Sequence, residues 1–234
     1  MATVDKFQLL MDGDLSVTGR LVDASNATLY ATLHLASETL TCIYKPIAGE
    51  RPLWDFPDGN LAHREYAAYL VSEAFEFNLV PMTVLRDGPY GFGMVQEWIS
   101  IDEEIELAEF FLTDNPLLRS MALFDAVINN TDRKIGHLLP MKNGQLYGCD
   151  HGVTFHVEDK LRTVLWQWSG MPLTTYEQEL LQNGRRVLEQ ELDLTAYLTV
   201  EEISALHMRI GRLIESGSMP TPSTEWPAVP WPAF

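Results

Sequence analysis

The segment NNTDRKIGHLL, residues 129–139, crowds Asn130, Asp132, Arg133, Lys134 and His137 into eight positions between two apolar runs. Polar groups beside a core are costly unless they are partnered or put to use. Three more reactive residues stand in order along the chain. Lys45 closes a run that alternates like a strand, and Glu65 follows twenty residues later in a helical stretch. Asp150 lies eighteen residues beyond Asp132, in GCDHG. These are the parts that phosphoryl transfer from a nucleotide requires. A lysine holds the phosphates and an acid fixes the lysine. One carboxylate orients the attacking hydroxyl, and another oxygen ligand holds a divalent metal.

The elements that must position these residues are legible from periodicity. Phe7, Leu10 and Met11 predict a helix over 4–11 that stops at Gly13. LSVTGRLV, TLYATLHLA and TLTCIYKP alternate as three antiparallel strands. Residues 61–77 read as a helix with Tyr66, Tyr69, Leu70, Ala74 and Phe77 inward, and MTVLRDGPYGFGMVQEWI reads as a hairpin around Asp87-Gly88. Thereafter the chain turns helical. Ser100 and Glu103 have capping-box spacing. Pro116 opens a central, buried helix lined by Leu117, Met121, Phe124 and Ile128. Two short strands flank Lys142-Asn143-Gly144, and helices follow over about 175–190 and 200–215, the last boxed by Thr199 and Glu202 and ended by Gly217. The expected fold class is α+β and bilobal: a β-rich lobe over 1–98, a helical lobe over 99–216 and a Pro/Trp-rich tail over 217–234. The hinge falls at Gln96, Glu97, Trp98 and Ile99, beside a cleft suited to a ligand. Trp226 and Trp231 are expected to pack the tail down.

Bulk properties narrow the function. Lys and Arg total 16 against 33 Asp and Glu, a formal charge of −17. Such a field repels phosphate backbones and anionic bilayers, so neither nucleic acid nor stable membrane association is expected. The start MATVDKFQLLMDGD lacks the apolar core of a signal peptide, and no apolar run reaches membrane-span length, which predicts a cytoplasmic protein. Cys42 and Cys149 are expected to be buried free thiols. Histidines 137, 151 and 156 raise the idea of a metal hydrolase, but none has a recognised ligand spacing such as H-E-x-x-H.

The words around these residues resemble the kinase-like fold, in its atypical branch. YKP resembles the lysine strand of phosphatidylinositol kinases and HipA-like kinases, and HREYAAYLV their glutamate helix. NNTDR resembles the catalytic loop of type II phosphatidylinositol 4-kinases, and CDHGVTF their metal-binding motif. The resemblance covers about residues 15–215 and implies ATP and a divalent metal, magnesium or manganese, as cofactors. It implies that Lys45 contacts the phosphates, Glu65 fixes Lys45, Asp132 orients the acceptor hydroxyl and Asp150 holds the metal. Gln96 to Ile99 would offer backbone groups to adenine, and Arg133 or Lys134 would offset charge on the transferred group. Two departures stand out. The phosphate-covering turn is VDASNAT, without a glycine-rich loop, leaving Ser25 and Asn26 as candidates. His137 stands where the family has asparagine, as a metal ligand for a softer ion, a phosphate donor or a packed side chain. The acceptor is an unknown protein or small molecule. A nucleotide-binding pseudokinase and an AMP transferase on the same fold remain alternatives.

Overall fold

The computed structural model describes residues 4–21 and 27–234; Ser25 and Asn26 lie outside them. Helix α1 (Lys6–Asp12) is followed by strands β1 (Asp14–Arg20), β2 (Leu29–Leu35) and β3 (Glu38–Pro46). Helix α2 (Leu61–Ala74) then leads into β4 (Thr83–Gly88) and β5 (Gly91–Glu97). Among the described residues these strands form one antiparallel sheet in the order β1-β2-β3-β5-β4. Alternation decides its faces. Leu29, Ala31, Leu33, Cys42, Tyr44, Val84 and Val95 pack with Leu9 and Leu10 of α1, while Ile43 and Lys45, one register step away, face the cleft.

The second lobe holds α3 (Leu107–Phe110), α4 (Pro116–Ile128), the small hairpin β6 (Leu138–Pro140) and β7 (Leu146–Gly148), α5 (Thr175–Gln190) and α6 (Val200–Ser216). Asn115 caps α4 with its side chain on the Leu117 N–H, and α4 is buried on nearly every side. Thr174 with Glu177 and Thr199 with Glu202 form capping boxes on α5 and α6. Gly217 ends α6 at φ +60°. The larger core gathers α4, α5 and α6, and it includes Ala67, Ala68 and Val71 of α2 and Phe75 at its C-cap. Helix α2 therefore touches both the sheet and the helical lobe.

That double contact widens the expected face of α2: Phe77, just past its end, is buried in the larger core and Tyr69, Leu70 and Ala74 pack against it, but a second face is buried as well. Ala62, Arg64, Glu65, Ala67, Ala68, Val71 and Ser72 are the buried positions. Tyr66 and Tyr69 are half-buried along its edge, and Tyr66 meets Tyr197 edge-on. A helix clamped on two sides selects small residues where backbones approach, and Tyr66 is displaced to the rim. Three other expectations change. The hairpin turns at Pro89-Tyr90, because Asp87 and Gly88 still pair with Phe92 and Gly91. Ser100 and Glu103 do not cap a helix: α3 starts only at Leu107, after an extended Glu106 that makes no side-chain cap. Of the tail tryptophans, Trp231 is 92% exposed, while Trp226 lies under the Lys160 ammonium, 4.4 Å from its ring centre. The tail is nonetheless tied down by backbone bonds from Thr163 to Ala228 and from Ile135 to Ala233. No helix among the described residues is long and apolar enough to cross a membrane.

Candidate active site

Strand β3 delivers Lys45 to the cleft floor. Opposite its end stands Gly93, where a Cβ would come within 2.3 Å of the Lys45 carbonyl oxygen, so only glycine permits that strand crossing. The Lys45 ammonium is ion-paired with Glu65 of α2 and lies 2.9 Å from Asp150 Oδ1. Burial disfavours the Lys45 charge, but Asp150 and Glu65 outweigh it and hold the pKa above the ordinary lysine range. Burial pushes Glu65 up while Lys45 pulls it back. Lys45 drives Asp150 well below the usual carboxylate range, against desolvation. Asp150 nevertheless keeps half its side chain open to solvent.

Asp150 adopts φ +60°, a left-handed conformation uncommon outside glycine. Its neighbours enforce it. The Cys149 N–H donates to the His137 carbonyl at 3.1 Å and the His151 N–H to Glu65 Oε2 at 3.3 Å. The Cys149 carbonyl accepts from Arg133 Nη1 at 3.1 Å.

The polar loop after α4 is a satisfied network. Asn129 takes the left-handed C-cap position, and its side chain bonds the backbone of His156, Glu158 and Lys160. Asn130 donates to Asp125 Oδ1 and accepts from the Asp132 N–H at 3.0 Å. Thr131 and Arg162 zip the loop to its neighbours through Val153 and Asn130. Arg133 corrects an expectation. It is fully buried, its guanidinium forked on Asp125 at 2.9–3.1 Å and 2.6 Å from His151 Nε2. It therefore braces the loop rather than facing a transferred group. Lys134 does face Asp132, at 3.2 Å. Burial raises the Asp132 pKa, Lys134 and Arg162 oppose this, and Asp150 adds to it. Asp132 and Asp150 are thus near enough to feel one another.

His137 Nε2 sits 3.6 Å from Asp150 Oδ2, and its Nδ1 accepts from the Lys134 N–H at 3.4 Å. Burial lowers its pKa to about 4, so the ring is neutral at pH 7. His151 is buried against Arg133 and Phe124, and His156 bonds the Glu158 N–H. The three histidines thus face different partners, and no group of three or more metal-ligating side chains occurs among the described residues.

A cavity of about 430 Å³ joins Lys45, Asp150 and His137 to the hinge. The hinge residues divide their duties. The Gln96 side chain donates to Thr83 Oγ1 and that of Glu97 turns away to Lys6. The N–H groups of Glu97 and Trp98 are spent on Met82 and Thr41. Among the described residues the Ile99 N–H has no such partner, so it is the donor the hinge can offer. Ile43, Thr28, Ser100 and Glu103 also line the cavity. Sequence reasoning missed them, although strand period alone puts Ile43 on the face of Lys45.

No family model matches the chain. It is 41% identical over 267 aligned residues to the Mycobacterium tuberculosis protein Rv2133c, covering 98% of this chain and 96% of that protein. Among solved structures it is similar to the Helicobacter pylori proinflammatory kinase CtkA, with a TM-score of 0.51 and 10% identity over 90% of this chain and 94% of that one. The Golgi casein kinase scores 0.48 at 12% identity, over 90% of this chain and 72% of its own. The likeness to CtkA shows the fold: α+β, bilobal and protein-kinase-like.

Proposed function

Starting from a chain that belongs to the family of Mycobacterium tuberculosis protein Rv2133c and carries a kinase-like fold, we propose an ATP-dependent phosphotransferase. The observation that carries this reading is the Lys45 ammonium held between Glu65 and Asp150 on the floor of a nucleotide-sized cavity. Adenine lies against the hinge and bonds Ile99. Lys45 meets the phosphates, kept in place by the buried Glu65. Asp132 orients the acceptor hydroxyl. That oxygen bonds to the γ-phosphorus as the bond to the bridging oxygen breaks; the proton passes to the Asp132 carboxylate and ADP leaves. The raised Asp132 pKa suits a proton acceptor. Lys134 offsets charge beside it.

The donor set fits a divalent cation only in part. Asp150 presents a half-open carboxylate and His137 a neutral imidazole, so phosphate oxygens and water would complete the shell. Such an ion would screen charge on the phosphates. The pairing of NNTDR and CDHG supports the lipid-kinase-like and HipA-like branch. The −17 charge favours a protein or a small soluble hydroxyl compound over an inositol lipid as acceptor. A pseudokinase is the second reading, favoured by the imidazole at position 137 and by the Asp150 oxygen already engaged by Lys45.

Calorimetry with ATP and magnesium or manganese, on wild type and Asp150→Ala, tests the cleft. Metal-dependent binding lost in the variant is expected. Asp132→Asn is expected to bind ATP within about twofold of wild type and to lose about 10²–10⁴ in turnover. Product mass then separates gain of phosphate from gain of AMP. Binding without any covalent product supports the pseudokinase, and no binding with either metal refutes the nucleotide site.

A further inference from the structure

The chain that follows α6 returns to the active site. The Thr163 N–H donates to the Ala228 carbonyl at 3.1 Å, and the indole N–H of Trp166 donates to the same carbonyl at 2.9 Å. The Ile135 N–H donates to the Ala233 carbonyl at 2.9 Å. Thr163 is bridged to Arg133 and Ile135 follows on the same loop, so the tail is bonded to the loop that carries Asp132 and to the segment beside it. The Phe234 ring rests against Gly136, on the wall of the nucleotide cavity. At the other end, the Trp226 ring centre lies 5.8 Å from the Arg162 guanidinium, whose charge reaches Asp132. Exposure alternates along the segment. Trp226 and Ala228 are half-buried and Pro230 is buried, while Pro227, Val229 and Trp231 are exposed. An extended chain held by one face has this period, and the prolines at 227, 230 and 232 favour an extended backbone. Residues 225–234 contain no serine, threonine or tyrosine, so the segment lying beside Asp132 has no hydroxyl to phosphorylate.

We propose that residues 225–234 are an internal, unreactive occupant of the acceptor site, and that the acceptor is an extended polypeptide segment that displaces them and presents a hydroxyl to Asp132. This rests on the phosphotransferase reading. The donors decide the class of acceptor. Lifting the tail strips the Thr163, Ile135 and Trp166 N–H groups of their acceptors. A ligand with carbonyls spaced along an extended chain restores those bonds, and a compact small molecule does not. Side chains of the tail hold it less firmly. Trp231 and Phe234 are exposed, and Lys160, under Trp226, has its own ion pair with Asp55 at 2.9 Å. Main-chain bonds therefore carry much of the attachment, and these are the bonds another polypeptide can take over. Transfer then proceeds with the side-chain oxygen bonding to the γ-phosphorus as the bond to the bridging oxygen breaks, the proton passing to Asp132 and ADP leaving.

The probe is a fluorescein-labelled peptide of residues 225–234, titrated into the full chain and followed by anisotropy. In wild type the resident tail competes at a local concentration of about 1 mM. Trp226→Ala loosens the tail and is expected to bind the peptide at least about tenfold more tightly than wild type. Should that variant not fold, Pro230→Gly removes the buried ring of the tail and serves in its place. Adding Trp166→Phe keeps a ring but removes the indole donor, and is expected to weaken the peptide about 2–10-fold. The same peptide with serine placed singly at 227–233 is then incubated with ATP and the loosened chain. Mass is expected to show a phosphate on at least one of these peptides, gained at least about tenfold faster than with wild type. Absence of saturable binding to the loosened chain overturns the site. So does equal affinity for wild type, or affinity unmoved by Trp166→Phe. Peptide binding with ADP formed from ATP but no phosphate on any serine overturns the acceptor assignment. Peptide binding with no ADP formed overturns the phosphotransferase reading and the acceptor role with it, and leaves a docking site for a polypeptide.

Discussion

Replacing Arg133 by methionine separates the two roles open to that residue. The guanidinium has no exposed surface and is forked on Asp125. It also bonds the Cys149 carbonyl and His151. Methionine keeps most of the volume, so little cavity forms. What changes is charge: Asp125 keeps only Asn130 and Thr163 as side-chain donors to a buried carboxylate. Breaking a buried ion pair from one side costs about 3–5 kcal/mol. In a domain of this size each kcal/mol shifts Tm by about 2–4 °C, so a fall of about 6–20 °C is expected. Differential scanning calorimetry reads it. The double variant Asp125→Asn with Arg133→Met is expected to regain at least half of the loss, because no charge is then stranded. ATP affinity should also fall in the single variant, since the Cys149 carbonyl that holds the Asp150 turn loses its donor. A Tm within about 2 °C of wild type, with turnover alone reduced, would refute this reasoning. That outcome would return Arg133 to the transferred phosphate. Additive single and double variants would equally show that the pair is not coupled.

Three further outcomes follow from packing and burial. Burial pushes both the Cys42 and Cys149 thiols up to about 12. Cys42 is fully buried, whereas Cys149 is half-buried on the wall of the cleft, so disulfide-exchange reagents should reach Cys42 only after denaturant is added and Cys149 slowly in the native state; rapid native labelling of Cys42 would contradict its burial. Gly184→Ala drives a Cβ to 2.1 Å from the Phe75 ring, where α5 crosses the end of α2. It should cost at least about 1–3 kcal/mol in chemical denaturation, and a neutral result would mean the two helices are farther apart. In the tail, Trp226→Ala should lower Tm through loss of its contacts with Lys160 and Arg162, whereas Trp231→Ser should leave Tm within about 1 °C. Equal effects would show that the tail is packed differently.

The sequence by itself determined the features that depend on a few neighbouring residues. Alternation set β1, β2 and β3, and with them the cleft-facing end of Lys45. Thr199, Glu202 and Gly217 marked α6 because caps are local hydrogen bonds. The order Lys45, Glu65, Asp132, Asp150 and the resemblance it carries anticipated that Glu65 fixes Lys45, as their ion pair shows; that Asp150 also engages Lys45 came from the structure. Only the tertiary structure decided where the other side chains point. Arg133 and Lys134 are adjacent in sequence, yet one turns into the core and the other toward Asp132, because Asp125 waits eight residues back on α4. Gln96 and Glu97 were drawn aside by Thr83 and Lys6, leaving the hinge its backbone. Ser100 and Glu103 had the spacing of a cap but no helix to cap; instead they line the cavity. Helix α2 hid its second buried face because both lobes press on it. Periodicity and caps are read within a turn or two of chain, whereas the direction of a charge is set by whichever distant group desolvates or pairs it.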